Sequence, residues 1–108
     1  MDKAVIEEMF LALGPVTIKR LFGGKGVYHE GRIIAVEVAG EMLLKADPIS
    51  APAFEAAGAR RWAYTDRKGK AVGMLYWSIP EEAFDDPDIM EHWVRLADAA
   101  ARRVNPGG

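Results

Sequence analysis

Apolar residues recur at helical spacing from the start of the chain. Val5, Ile6, Met9, Phe10 and Leu13 fall within an arc of about 140°, while Leu11 lies off it among Glu7 and Glu8. Gly14-Pro15 stops this first helix, since Gly accepts a left-handed cap and Pro cannot continue the hydrogen-bond ladder. Val16 to Phe22 then reads as a strand that the glycines at 23, 24 and 26 end. Val27-Tyr28 and Arg32 to Val38 read as further strand across a tight turn at His29-Glu30-Gly31, and Met42 to Lys45 returns from a turn at Ala39-Gly40-Glu41. This is an antiparallel meander.

Asp47-Pro48 has the form of a helix start, a capping carboxylate followed by Pro at the first helical position. Ala53, Phe54, Ala56 and Ala57 follow, and Gly58 closes the helix. Arg61 to Thr65 and Ala71 to Ile79 are strands facing each other across Asp66-Arg67-Lys68-Gly69-Lys70, a loop with Gly near its tip. Asp86-Pro87 repeats the cap-then-Pro device and opens the longest helix. Its stripe is Ile89, Trp93, Leu96, Ala97, Ala100 and Val104, widened by Met90, Val94 and Ala101. The predicted order is α-β-β-β-α-β-β-α. Hairpins dominate it, so the expected fold is a two-layer α+β domain, an antiparallel sheet with helices packed on it.

Composition agrees with one such domain spanning residues 1–108. Half of the 108 residues are hydrophobic and three are Trp, which describes a chain able to bury a core. Cysteine is absent, which removes disulfide scaffolds, thiolate metal sites and thiol nucleophiles. The net charge is −2, and residues 1–54 carry 6 basic and 7 acidic residues against 8 and 9 in 55–108. No charged tail follows from that distribution. No apolar run approaches the ~20 residues of a membrane helix, and the expectation is a soluble cytoplasmic protein.

Candidate chemistry is sparse. Phe22-Gly23-Gly24-Lys25-Gly26 suggests a phosphate loop, but Lys25 precedes Gly26 and a strand rather than Ser or Thr and a helix. His29 stands where a dinucleotide fingerprint needs its third Gly. The glycines are therefore expected to serve a bulge or a turn with positive φ. His29 sits in a turn and His92 on the polar side of the last helix, and neither has a ligand at i+3 or i+4, so no metal or cofactor is expected. Ser50 and Ser78 lie outside any nucleophile-elbow context. Six carboxylates between Glu81 and Glu91 read as a solvated face that complements a helix dipole. An enzyme is not expected.

Two patterns point to binding instead. Arg60, Arg61, Arg67, Lys68 and Lys70 interleave with Trp62 and Tyr64, as in a stacking platform for single-stranded nucleic acid. The strand from Ala71 to Ile79 is apolar on both sides, with Val72, Met74 and Tyr76 pointing one way and Leu75, Trp77 and Ile79 the other. An antiparallel sheet covered by helices on one face normally alternates cleanly with polar residues. Either elements of the chain itself cover both faces, or one side of this strand, at Tyr76 or Trp77, is expected to meet a partner, most simply a second copy of the chain.

The segment Leu21-Phe22-Gly23-Gly24-Lys25-Gly26-Val27-Tyr28 resembles the "MFGGxGLY" stretch of the TfoX N-terminal domain family, known from the TfoX/Sxy competence regulators. Leu44-Lys45-Ala46-Asp47, Phe54-Glu55-Ala56-Ala57-Gly58 and Met74-Leu75-Tyr76-Trp77-Ser78-Ile79-Pro80 resemble later family segments in the same order. The resemblance implies a fold like that of the secretion chaperones and YgaC-like proteins, and a link to transcriptional control. Full-length members carry a second, helical domain that is not expected within these 108 residues, so a competence role is not expected to transfer. The leading expectation is a non-enzymatic regulatory or protein-interaction domain, a homodimer with a transcription regulator among its partners. The alternatives are nucleic-acid binding through the 60–70 hairpin and small-molecule binding at loop 22–26.

Overall fold

A computed structural model describes residues 1–104 other than 22 and 66, and only the backbone at 64, 65 and 71–74. Phe22, Asp66, the last four residues and the side chains of Tyr64, Val72 and Met74 thus lie outside the described residues. The chain opens with α1 (Lys3–Met9), whose N-terminus is capped by Asp2 Oδ1 accepting the Val5 N–H at 3.0 Å. A 3-10 turn, Leu11–Leu13, follows, and Gly14 leaves it at φ +87°, a conformation glycine adopts without strain. Ile6 and Phe10 are buried, Met9 and Leu13 partly so, but Val5 is 44% exposed. The buried arc of α1 is narrower than its apolar pattern.

Four strands come next: β1 (Thr17–Leu21), β2 (Gly24–His29), β3 (Arg32–Val38) and β4 (Glu41–Lys45). The predicted order is therefore one strand short, because the stretch before the turn at 30–31 pairs on both sides as a strand of its own. Both two-residue turns take positive φ throughout, Glu30 at 51° and Gly31 at 80°, then Ala39 at 51° and Gly40 at 82°. That is the turn whose twist matches flanking antiparallel strands.

The second helix, α2 (Ala51–Ala56), begins three residues later than the sequence suggests, with Ser50 at its cap and Pro52 in its first turn. Pro52 lacks an N–H and so fits only where none is needed, which fixes the start there. Asp47 instead holds a turn over 48–50, exchanging bonds with Ser50: Oδ1 accepts the Ser50 N–H and the Asp47 N–H donates to Oγ. Then come β5 (Arg61–Thr65), β6 (Ala71–Ser78), a second 3-10 turn Glu81–Asp85, and α3 (Pro87–Val104). On α3 the buried side is Met90, Trp93, Val94, Ala97, Ala100 and Ala101, while Val104 is half exposed.

The strands form one antiparallel six-stranded sheet in the order β1-β2-β3-β4-β6-β5. Residues directly opposite one another share a face, so the register defines two ladders. One runs Ile18, Val27, Ala35, Leu44, Trp77; the other runs Lys19, Gly26, Val36, Leu43, Ser78. The first ladder packs with Ile6, Phe10, Phe54, Trp93, Val94 and Ala97 from the three helices, and Phe54 lies 4.8 Å from Trp93 and 6.2 Å from Trp77 between ring centroids. Helices therefore occupy one side. No member of the second ladder joins that core.

Candidate functional site

The second ladder is the centre of an open sheet face. Val36 and Leu43, 6% and 3% exposed, are buried there outside the core cluster that packs against the helices. Tyr28 and Tyr76 come from either side, and each is half-buried. Lys19 Nζ stands 5.1 Å from the Tyr28 ring centroid and Lys45 Nζ 5.9 Å from that of Tyr76. Trp62 meets Tyr76 edge-on at 6.4 Å. Burial, and after it the nearby Tyr28, pushes the Tyr76 hydroxyl above its ordinary pKa. Desolvation pushes the Lys45 ammonium below its own. The surface is thus a partly dehydrated aromatic strip edged by two cations.

Of the pair singled out on β6, Trp77 belongs to the helical core and Tyr76 to the open face. Leu75, on the side of Trp77, is 46% exposed where the hairpin runs past α2.

One of the three glycines serves the expected turn with positive φ, and the other two have different reasons. Gly23 is the one with positive φ, at 79°. A Cβ on Gly24 would lie 1.9 Å from the Glu37 carbonyl oxygen, so β2 approaches β3 as closely as it does only because nothing projects there. A Cβ on Gly26 would meet Tyr28 Cε2 at 3.0 Å and the ends of Ile33 and Leu21 at 3.3 Å. Gly26 is the flat place over which the Tyr28 ring lies. Lys25 Nζ donates to the Met1 carbonyl, and the Met1 ammonium stands 3.4 Å from Glu37. A cleft of about 450 Å³ beside this segment is lined by Arg20, Leu21, Gly23, Gly24, Lys25 and Glu37.

The basic hairpin is not assembled as one platform. Arg60 pairs with Glu41, Arg61 stands opposite Trp77 on the helical side, and Trp62 is on the open face. Arg67, Lys68 and Lys70 are exposed at the loop beyond the last β4 pairing, Lys45 with Tyr76. His29 is likewise misplaced by the sequence reading. It ends β2 and is buried, with Nδ1 2.8 Å from Asp98 Oδ1 on α3, while Asp98 Oδ2 accepts from Arg102 at 3.0 Å. Those partners are 69 residues apart, and no local signal joins them. His92 is exposed, as its place on the polar side of α3 requires. Among the described residues no group of His, Asp or Glu comes together to hold a metal ion. No helix among them is long and apolar enough to cross a membrane.

The architecture defines a two-layer α+β domain with three helices on one face of a six-stranded antiparallel sheet. Residues 8–101 match the TfoX N-terminal domain family, and the chain belongs to it. A search among curated proteins found no match. The family match covers the glycine segment, the open face and most of α3, so the ordered motifs quoted above belong to one fold.

Proposed function

We propose that this chain is a non-enzymatic regulatory interaction domain that self-associates by packing two open sheet faces about a twofold axis. The observation that carries the reading is the aromatic strip of Tyr28, Ile33, Trp62 and Tyr76 on a face that no described helix covers. Twofold packing lets each copy remove the rest of the other's half-buried tyrosines from water, worth roughly 1 kcal/mol per side chain. An expanse of Tyr, Trp and Ile with few charges has the composition of an interface centre. A dimer formed this way leaves the helical side free for the regulatory partner that family membership suggests.

Sedimentation of the wild-type chain at high micromolar concentration is expected to give twice the monomer mass. Tyr76→Asp places a carboxylate opposite Lys45 and should yield a soluble, folded monomer. A wild-type chain that sediments as a monomer at that concentration refutes the dimer. The hairpin supports a second reading, nucleic-acid contact, because Arg67, Lys68 and Lys70 stand exposed beyond the β4 edge. It requires affinity for single strands that falls steeply with salt and disappears on charge reversal at those three positions.

A further inference from the structure

A different surface lies at the far end of the molecule. Between α1 and the Glu81–Asp85 turn with the start of α3 runs a groove of about 370 Å³, lined by Val5, Glu8, Met9, Phe84, Asp85 and Met90 among others. Phe84 is 56% exposed and Val5 44%, and they form its apolar lips. Met9 and Met90 lie deeper. Unbranched methionines adapt to varied apolar side chains, which suits a groove that receives another chain.

Charge around the groove is one-sided. Residues 1–9 and 81–91 hold nine acidic side chains and one basic. Some of them have structural work: Asp2 caps α1, Asp86 Oδ1 accepts the Asp88 N–H at 2.9 Å at the start of α3, and Glu91 pairs with Arg95 at 2.7 Å. Glu7 and Glu8 do not fit that account. They stand in the last turn of α1, which holds no basic residue and where the helix dipole disfavours carboxylates. Asp85 likewise closes its own turn and faces Glu8 across the groove. Of these, Glu8 and Asp85 line the groove beside its exposed apolar lips.

We infer that this groove is a docking site for a short basic amphipathic helix of a partner protein. The apolar face of the helix lies on Val5, Met9, Phe84 and Met90, and its lysines or arginines meet Glu8, Asp85 and their acidic neighbours. Helix-in-groove recognition needs this combination of adaptable apolar floor and charged rim. Opposite charge supplies the choice of partner and the rate of encounter. The inference does not depend on the open sheet face, which lies on other elements.

The test is fluorescence anisotropy with a labelled peptide of about 18 residues, leucine and lysine at helical spacing. Its controls are the same residues scrambled and a leucine–glutamate counterpart. Expected is saturable binding in the micromolar range, weakened roughly tenfold by scrambling and undetectable for the acidic counterpart. Phe84→Ser and Val5→Ser should each weaken binding roughly tenfold, and the Glu8→Gln/Asp85→Asn pair should flatten its salt dependence. Methyl resonances of Met9 and Met90 in the wild-type chain should shift on titration, which keeps the test decisive if a variant folds poorly. Equal binding of the scrambled peptide, or methyl signals that stay still at saturation, overturns the inference. So does a change in the chain's own sedimenting mass on Phe84→Ser, since the groove then serves a second copy.

Discussion

Replacing Arg103 by Met tests the tie between the end of α3 and the corner before α2. Arg103 reaches Asp47 with two bonds, Nε to Oδ2 and Nη2 to Oδ1 at 2.9 Å, and Oδ1 also accepts the Ser50 N–H at 3.0 Å. The Asp47 side chain is 7% exposed and that of Arg103 36%, so Met strands a buried carboxylate beside a site that water can partly reach. Breaking a fully buried pair costs about 3–5 kcal/mol, and the exposure of the guanidinium brings the expected loss to about 2 kcal/mol. For a chain of 108 residues that corresponds to a melting point lower by about 9 °C. The hydrogen-bonded Arg103 holds the Asp47 carboxyl well below the usual carboxylate range, against the opposing pull of burial. A depressed folded pKa contributes stability above the unfolded value of about 4, and that contribution is lost as pH falls below it. Without Arg103 only the Ser50 hydrogen bonds oppose burial, so the carboxyl is held down less than in the wild type and acid neutralises it at a higher pH. The gap between wild type and variant should therefore narrow as pH drops from about 6 to about 2.5. Thermal melts across that range measure it, and on an Asp47→Asn background Arg103→Met should cost under about 0.5 kcal/mol. A gap that stays constant with pH, or a variant melting within about 2 °C of wild type, would sink the reasoning.

Gly24→Ala drives a Cβ into the Glu37 carbonyl oxygen at 1.9 Å and must part β2 from β3. A loss of about 3 kcal/mol is expected, against under about 1 kcal/mol for Gly26→Ala, whose neighbours are side-chain ends that can yield. Equal melting points for the two variants would contradict these separate roles. Asp98→Ala leaves His29 Nδ1 buried without its carboxylate, and the urea midpoint should fall by the equivalent of roughly 2 kcal/mol at constant m. An unchanged midpoint would show that the pair contributes nothing to stability.

What was legible in the sequence follows the range of each signal. Gly14 and the Asp86-Pro87 start are local devices that stand where the pattern puts them, and the two-residue turns at 30–31 and 39–40 fall inside the three-residue stretches it marks. The start of α2 was misread because Asp47-Pro48 satisfies the rule for a cap while Asp47 is committed to Arg103, 56 residues away. Strand β3 shows why the open face could not be chosen from the sequence. Ile33 to Val36 is an unbroken apolar run, and an irregularity in its pairing with β2 puts both Ile34 and Ala35 in the core. Alternation across that run has no polar residue to mark the wet side. Tyr76 and Trp77 could be assigned to opposite faces, but which face the helices cover depends on where Phe54 and Trp93 pack.

Charge is the clearest case of information that appears only on folding. Counted by halves the chain is balanced, 6 basic and 7 acidic residues against 8 and 9. Strand β6 separates charges that this count mixes. Its first residue follows the loop carrying Arg67, Lys68 and Lys70, and its last leads within ten residues to Glu81, Glu82, Asp85, Asp86 and Asp88. Eight extended residues span about 26 Å, so the basic tip and the acidic turn stand at opposite ends of one strand. At physiological ionic strength the screening length is about 8 Å, and neither pole cancels the other at that separation. A chain with a net charge of −2 therefore presents two independent electrostatic surfaces, one able to attract anions and one cations. Between them the open sheet face carries Tyr28 and Tyr76, each beneath a lysine ammonium. Added salt should weaken contacts at the two poles and spare those at the aromatic strip, because apolar burial is not screened. Salt dependence thus distinguishes binding at either pole from binding at the strip.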